Sequence, residues 1–283
     1  MNGTKIDWAT KTWNPVTGCL HGCPYCYARN MAQRFGGWTL DGVKTTESYT
    51  EIGKEFPELD NPRYVRRKSG RELVAPFPFG FTPTLHRYRL SDPAQMKKPQ
   101  RIFVGSMTDL FGEWVPDAWI KAVLDACQAA PWHTYLFLTK NPGRYLELEE
   151  AAKLPMNEHF WYGTTASNAE QMDKAVDVFD SLPVKMKSFL SVEPLMEDIT
   201  DSYGWLASMV HKHNSPYFSW IIVGAMTGPE KEKHKPRREW VENIVEATAA
   251  ANAAVFMKEN LAEVWGPDLI QDHPAGMLWP EVV

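Results

Sequence analysis

Three of the chain's four cysteines fall within "TGCLHGCPYCYAR", residues 17–29, as Cys19, three residues, Cys23, two residues, Cys26. Thiolates this close suit a soft metal centre, and the neighbouring Gly18, Gly22 and Pro24 let a loop wrap around one. Structural zinc takes four closed ligands. His21 or a distant side chain would have to complete that set, and His21, lying between two of the cysteines, makes a strained chelate. A four-iron, four-sulfur cluster held by three cysteines instead leaves one iron for a substrate or cofactor, and an open coordination position implies chemistry. The fourth cysteine, Cys127 in "AWIKAVLDACQAA", sits at an apolar-periodic position and reads as core. Clustered cysteines of this number fit a metal or redox site in a reducing compartment better than a disulfide framework.

The elements that must position such a loop are legible downstream. From residue 101 a rhythm recurs: a short apolar run, a polar turn, then a stretch with helical spacing. The strand candidates are "RIFVGS" (101–106), "TYLFLT" (134–139), "FWYGTT" (160–165), "KSFLSV" (187–192), "WIIVGA" (220–225) and "AVFMKE" (254–259), with an earlier one around 12–15. Helical segments are expected over Pro116 to Ala130, Asn168 to Asp180 and Arg237 to Ala251. Apolar strands alternating with amphipathic helices predict a parallel sheet buried on both faces, with right-handed crossovers, as a barrel or a doubly wound sheet. The expected fold is α/β: a partial (β/α)6-type, TIM-like barrel of six parallel strands, with seven or eight allowed, forming a single domain over 1–283.

In a parallel barrel the strand ends emerge at one mouth, where active sites lie. Here those ends are polar: "GSMTDLF", "TKNPGR", "TTASN", "SVEPL", "GAMTGP" and "KEN". Turn chemistry accounts for Gly105, Gly163, Gly224 and Gly228. It accounts less well for Lys140, Glu193 and Lys258, which are the candidates for catalysis or substrate binding. Trp13 and Trp161, near strand ends, are candidates for lining a pocket.

Residues 36–100 break the rhythm and read as an irregular insertion, since so long an excursion is uncommon without a function. From Arg63 to Arg101 ten Lys/Arg face two acids, a local net of +8 that leaves −13 on the rest of a chain totalling −5. Phe77, Phe79, Phe81, Tyr64 and Tyr88 interleave with these charges, the mixture that tracks phosphates and stacks bases. Arg63, Arg66, Arg67, Lys68, Arg71, Arg87 and Arg89 are the candidate nucleic-acid contacts, and the segment a candidate substrate platform. The bland reading is a solvated basic surface. His86 reads as packing or as a phosphate contact. The N-terminal residues lack the pattern of a signal peptide and no apolar run reaches the roughly 18 residues of a membrane span, so a cytoplasmic protein without membrane contact is expected.

The cysteine spacing, with aromatic Tyr25 just before the third cysteine, resembles the signature of the radical S-adenosylmethionine superfamily, and "YCYAR" is similar to its spore photoproduct lyase-like members. Together with "KIDWATKTWNPVTGC", "FVGSMTDLF", "FLTKNPGR", "FLSVEPL" and "WIIVGAMTGP", it resembles a phage and bacterial family of unknown function within that superfamily, marked by a three-cysteine motif. The resemblance implies a 4Fe-4S cluster on Cys19, Cys23 and Cys26. S-adenosylmethionine would chelate the fourth iron, with Tyr25 near its adenine. Reductive cleavage to a 5'-deoxyadenosyl radical would then abstract hydrogen from a substrate, and an electron donor such as flavodoxin or ferredoxin would supply the electron. Gly105, Ser106 and Asp109 stand where relatives receive the methionine amine, and Thr165, Ser167 and Asn168 where they contact the ribose. Glu193 and Lys140 would serve the methionine carboxylate or the substrate, and "GAMTGP" replaces an expected "GGESGP". The implied function is a radical enzyme acting on a nucleic-acid base or modified nucleotide, as in phage DNA modification. The alternative is a zinc-stabilised nucleic-acid-binding protein without catalysis.

Overall fold

Each apolar run from residue 101 onward is a parallel strand. The computed structural model describes residues 1–36, 55–66, 69–209, 216–228 and 230–277. Its main sheet holds seven parallel strands: β1 (Lys11–Trp13), β2 (Arg101–Val104), β3 (Thr134–Thr139), β4 (Phe160–Thr165), β5 (Lys187–Val192), β6 (Trp220–Val223) and β7 (Ala254–Met257). A two-residue strand, Asn2–Gly3, pairs antiparallel outside β1. The strands lie side by side in chain order. A doubly wound sheet reverses that order at a switch point, so this one is singly wound and puts its helices on one side. The sheet curls into a half-barrel. Among the described helices none is long and apolar enough to cross a membrane.

The period of two along each strand builds two separate cores. Ile102, Val104, Tyr135, Phe137, Tyr162, Leu190, Val192, Ile221, Val223 and Met257 point outward, onto the helices. Those helices are α2 (Asp117–Gln128), α3 (Gly143–Glu150), α4 (Ala169–Ser181) and α6 (Arg238–Ala250), which follow β2, β3, β4 and β6. They contribute Trp119, Val123 and Cys127, then Tyr145 and Leu148, Met172 and Phe179, Val241 and Ile244 at helical spacing. Cys127 is fully buried, as its position in the pattern requires. Between α4 and α6 a shorter helix, α5 (Tyr203–Met209), follows β5.

The alternate residues, Phe103, Leu136, Trp161, Phe189, Trp220, Ile222 and Phe256, point inward and join Trp8 and Met277 in the second core. Each such side chain contributes about 2–3 kcal/mol by leaving water, and together they plug the lower part of the half-barrel. Gly163 belongs here rather than in a turn: it lies within β4, and a Cβ on it would come within 2.4 Å of the Phe189 ring. Trp161 is in this plug and Trp13 in the outer core, so neither lines a pocket.

The segment 36–100 is less irregular than its sequence reads, although 37–54 and 67–68 lie outside the described residues. Thr84–His86 pairs with Val16–Thr17 on one side and Glu58–Leu59 on the other, and Tyr64–Arg66 forms a hairpin with Glu72–Val74. Three of its aromatic residues serve packing, whereas Tyr64 is exposed and Phe81 lines a cavity. Phe77 sits with Ala28, Ala32 and Met107 under helix α1 (Tyr27–Phe35), Phe79 is buried, and Phe56 joins the outer core. The period-two test misses these residues because their partners lie on other elements.

Candidate functional site

The inward positions just past the plug meet the cysteine loop around a cavity of about 400 Å³. That volume lies within the roughly 300–1,000 Å³ of small-molecule sites. Cys19, Cys23 and Cys26 line it from one side, with Tyr25 and Tyr27. The strand ends line it from the other through Gly105, Ser106 and Asp109 after β2, Lys140 after β3, Thr165 closing β4, Ser191 and Glu193 at β5, Met226 after β6 and Lys258 after β7. Trp8, Ile6, Phe103 and Leu138 also line it, next to the plug. Strand parity explains the gathering: Leu136, Leu138 and Lys140 share a face, as do Phe189, Ser191 and Glu193, and Phe256 and Lys258.

The loop is laced to the sheet at its start. Gly18 donates its N–H to the Met107 carbonyl at 2.9 Å, and Thr108 Oγ1 donates to the Gly18 carbonyl at 2.6 Å. Gly18 has φ +89°, and a Cβ there would stand 2.3 Å from the Thr82 carbonyl oxygen, so only glycine fits. At its end Cys26 caps α1, its Sγ accepting the Arg29 N–H at 3.4 Å. The positive end of that helix therefore faces the third thiol. Burial, followed by the charges of Asp109 and the other two cysteines, pushes the Cys19 thiol up to about 12. A metal cation would reverse that balance by taking the thiolate.

The polar groups of the strand ends are mostly paired. Lys258 Nζ donates to Glu193 Oε1 in an ion pair about a quarter exposed at most. Gly224, between them on β6's exit, makes room: a Cβ there would meet Lys258 Cδ at 2.9 Å and Glu193 Cγ at 3.2 Å. Lys140 Nζ lies 3.5 Å from the Tyr25 hydroxyl and 5.5 Å from its ring centre. Among the described residues no carboxylate pairs with this ammonium, so it remains available to an anionic ligand group. Tyr27 donates its hydroxyl proton to the Ser106 carbonyl at 2.6 Å.

Some expected positions are placed otherwise. Asn168 caps α4, its Oδ1 accepting from the Gln171 N–H at 2.9 Å, and neither it nor Ser167 lines the cavity. Asp109 lines it, but with both carboxylate oxygens already accepting hydrogen bonds. His21, weighed from sequence as a strained fourth zinc ligand, supplies one of those donors. Trp8 and Tyr27 lack a sequence signal: Trp8 precedes the first strand and Tyr27 is just another aromatic beside the motif.

Part of the basic tract is engaged within the fold, while Lys97 and Lys98 are exposed. Arg66 pairs with Glu72 at 2.7 Å, and Arg87 pairs with Glu58. Arg89 donates to the Asn14 carbonyl at 2.9 Å, Arg63 stacks on Phe79, and Arg71 is exposed. Arg67 and Lys68 lie outside the described residues. Arg101, counted in the +8, is buried in the half-barrel, and burial lowers its pKa to about 10. His86 is fully buried, its Nε2 2.9 Å from Thr17 Oγ1, and burial followed by Arg89 holds it down at about 3.

Among the described residues no three of His, Cys, Asp and Glu converge on one point as a single ion would require. An iron–sulfur cluster asks for less, because each cysteine binds a different iron. Three half-buried thiols on one cavity-lining loop, beside a helix N-terminus and with room in front of them, fit that donor set.

A family model described as "Protein of unknown function (DUF5131)" matches residues 3–269. No curated protein and no solved structure matches the chain.

Proposed function

The chain belongs to that family, whose description assigns no activity, and from the site itself we propose a radical S-adenosylmethionine enzyme on a partial TIM-type barrel. The observation that carries the reading is one cavity shared by three cysteines and the C-terminal ends of the parallel strands. Cys19, Cys23 and Cys26 hold the 4Fe-4S cluster and leave one iron position to S-adenosylmethionine. When bound, the cluster supplies the electron that cleaves S-adenosylmethionine to methionine and a 5'-deoxyadenosyl radical, the agent of hydrogen abstraction. This chain's residues do the rest. Lys140 attracts a carboxylate or phosphate, and the Glu193–Lys258 pair presents one acceptor and one donor to polar ligand groups. The plug of Phe103, Trp8 and Leu138 excludes water from below. Thr165 offers a hydroxyl to the cavity, whereas that of Ser106 is paired with the Asn14 amide.

Anaerobic reconstitution with iron and sulfide should give about four irons per chain and an absorbance band near about 400 nm, both lost in Cys23→Ala. Dithionite and S-adenosylmethionine should then yield 5'-deoxyadenosine. A second reading is a structural zinc ion with His21 as fourth ligand. The hydrogen bond between His21 and Asp109 favours it, since ligating histidines are commonly oriented by a carboxylate, while the lack of three convergent donors among the described residues weighs against it. One zinc and no iron under reconstitution would establish that reading instead. A nucleic-acid substrate rests on the basic tract alone, and binding that does not weaken between 50 and 200 mM salt, on the scale of about 10³-fold for six phosphate contacts, would remove it.

A further inference from the structure

The Asp109 side chain stands between the cysteine loop and the sheet, 7% exposed. Its Oδ2 accepts from His21 Nε2 at 2.7 Å and from the Lys140 backbone N–H at 2.8 Å, and its Oδ1 from the Phe111 N–H at 3.0 Å. The three donors come from the cysteine loop, the exit of β3 and Asp109's own loop. With three of its roughly four acceptor positions taken, this carboxylate has little left for a ligand ammonium group, the role its place after β2 suggests.

His21 is fixed on a second side by Trp114, whose ring meets it edge-on at 4.8 Å between centres. It lies two residues from Cys19 and two from Cys23. Gly18 and Cys26 are anchored at the loop's two ends. Between them, across 20–24, the His21 ring makes the one side-chain hydrogen bond to the rest of the fold found among the described residues. Cys19 is also tied by its N–H to the Phe81 carbonyl at 3.3 Å and packs with Leu20 against the outer core, so the hold on the His21 ring adds the side-chain tie that sets this arm, and Cys23 above all, against the end of β3.

We propose that Asp109 is a positioning residue which, through His21, holds the Cys19–Cys23 arm in register with the end of β3 that carries Lys140. The inference rests on the cluster reading above. In this role Asp109 is not itself a ligand. It orients the ligand loop, and its fixed negative charge beside Cys19 also disfavours adding an electron to a centre bound there.

The test compares wild type with Asp109→Ala, His21→Ala, the double variant and His21→Gln, whose amide can still donate to Asp109. Each is reconstituted anaerobically and challenged with an iron chelator, and its reduction potential and electron paramagnetic resonance spectrum are recorded. Loss of an outer-shell partner costs about 10–100-fold in metal affinity, so either alanine variant should lose iron at least about tenfold faster. The double variant should be no worse than the more damaging single one, because both remove one link. His21→Gln should restore most of the retention. Asp109→Ala should also favour the reduced cluster by about tenfold, a positive shift of about 59 mV for one electron. Should Asp109→Ala fail to fold, His21→Ala interrogates the same link while leaving Asp109 its two backbone donors. A wild type that takes up no iron overturns the cluster reading and this inference with it. A wild type that loads, with alanine variants that retain iron and potential unchanged or with additive losses in the double variant, overturns this inference alone.

Discussion

Substituting alanine at Gly18 and at Gly22 separates two physical effects at the ends of one short arm. Both glycines have positive φ, +89° and +72°. An L-residue there costs about 1–2 kcal/mol. Gly22 has nothing within 4 Å of where a Cβ would stand, so that conformational cost is its whole penalty. At Gly18 the same Cβ would lie 2.3 Å from the Thr82 carbonyl oxygen, 2.4 Å from its carbon and 2.6 Å from the Pro83 nitrogen. These are backbone atoms of the segment leading into Thr84–His86, and they can give way only by shifting the strand that pairs with Val16–Thr17. Overpacking against such neighbours adds up to about 3 kcal/mol, for a total near 4–5 kcal/mol. With a urea m-value of about 3 kcal/mol/M, Gly18→Ala should lower the unfolding midpoint by about 1.5 M and Gly22→Ala by about 0.5 M. The assay is equilibrium urea unfolding of the iron-free chain, followed by tryptophan fluorescence and far-UV circular dichroism. Equal midpoints for the two variants would refute the reasoning, because they would mean that the close approach to Thr82 costs nothing.

Two further outcomes follow from burial. His86 stays neutral in the fold down to about pH 3, whereas in the unfolded chain it takes a proton near 6.5. Its contribution is therefore whole above about pH 6.5 and is lost as pH falls toward 3, at up to about 1.4 kcal/mol per pH unit. His273, lowered to about 4 mainly by burial, adds to the same slope. Unfolding free energies measured from pH 7 to 4 should show a shallower slope in His86→Gln than in wild type, and parallel slopes would contradict the assignment. Cys127→Ala removes a fully buried thiol from the outer core. It should cost about 1–2 kcal/mol in the same urea assay while leaving iron per chain unchanged, and lost iron would place Cys127 among the ligands.

Much of the molecule is legible in one dimension because short-range periodicity carries it. The runs at 101–106, 134–139, 160–165, 187–192, 220–225 and 254–259 become β2 to β7 within two residues at their ends. Each is apolar on both faces, as a strand between a helical layer and a plugged interior must be. Lys140, Glu193 and Lys258 stood out as charges ending buried strands, and strand parity sends all three to the cavity. The tract from 63 to 101 was harder to read, since charge and aromaticity look the same whether they face a ligand or each other. Only coordinates distinguish Arg66 on Glu72 and Arg87 on Glu58 from free cations, or Phe77 under α1 from a stacking platform.

The chain alone determines the kind of chemistry open to it: three thiols at fixed short spacing and a series of polar strand ends, both set by covalent adjacency and the two-residue period. The tertiary structure decides which groups are already consumed. Asn168 is taken by a helix N-terminus three residues on, Arg101 by the barrel interior, and Asp109 by donors at residues 21, 111 and 140. Asp109 and His21 are 88 positions apart. No local pattern encodes a hydrogen bond over that distance, which forms because winding the strands in order brings the exits of β2 and β3 beneath the cysteine loop.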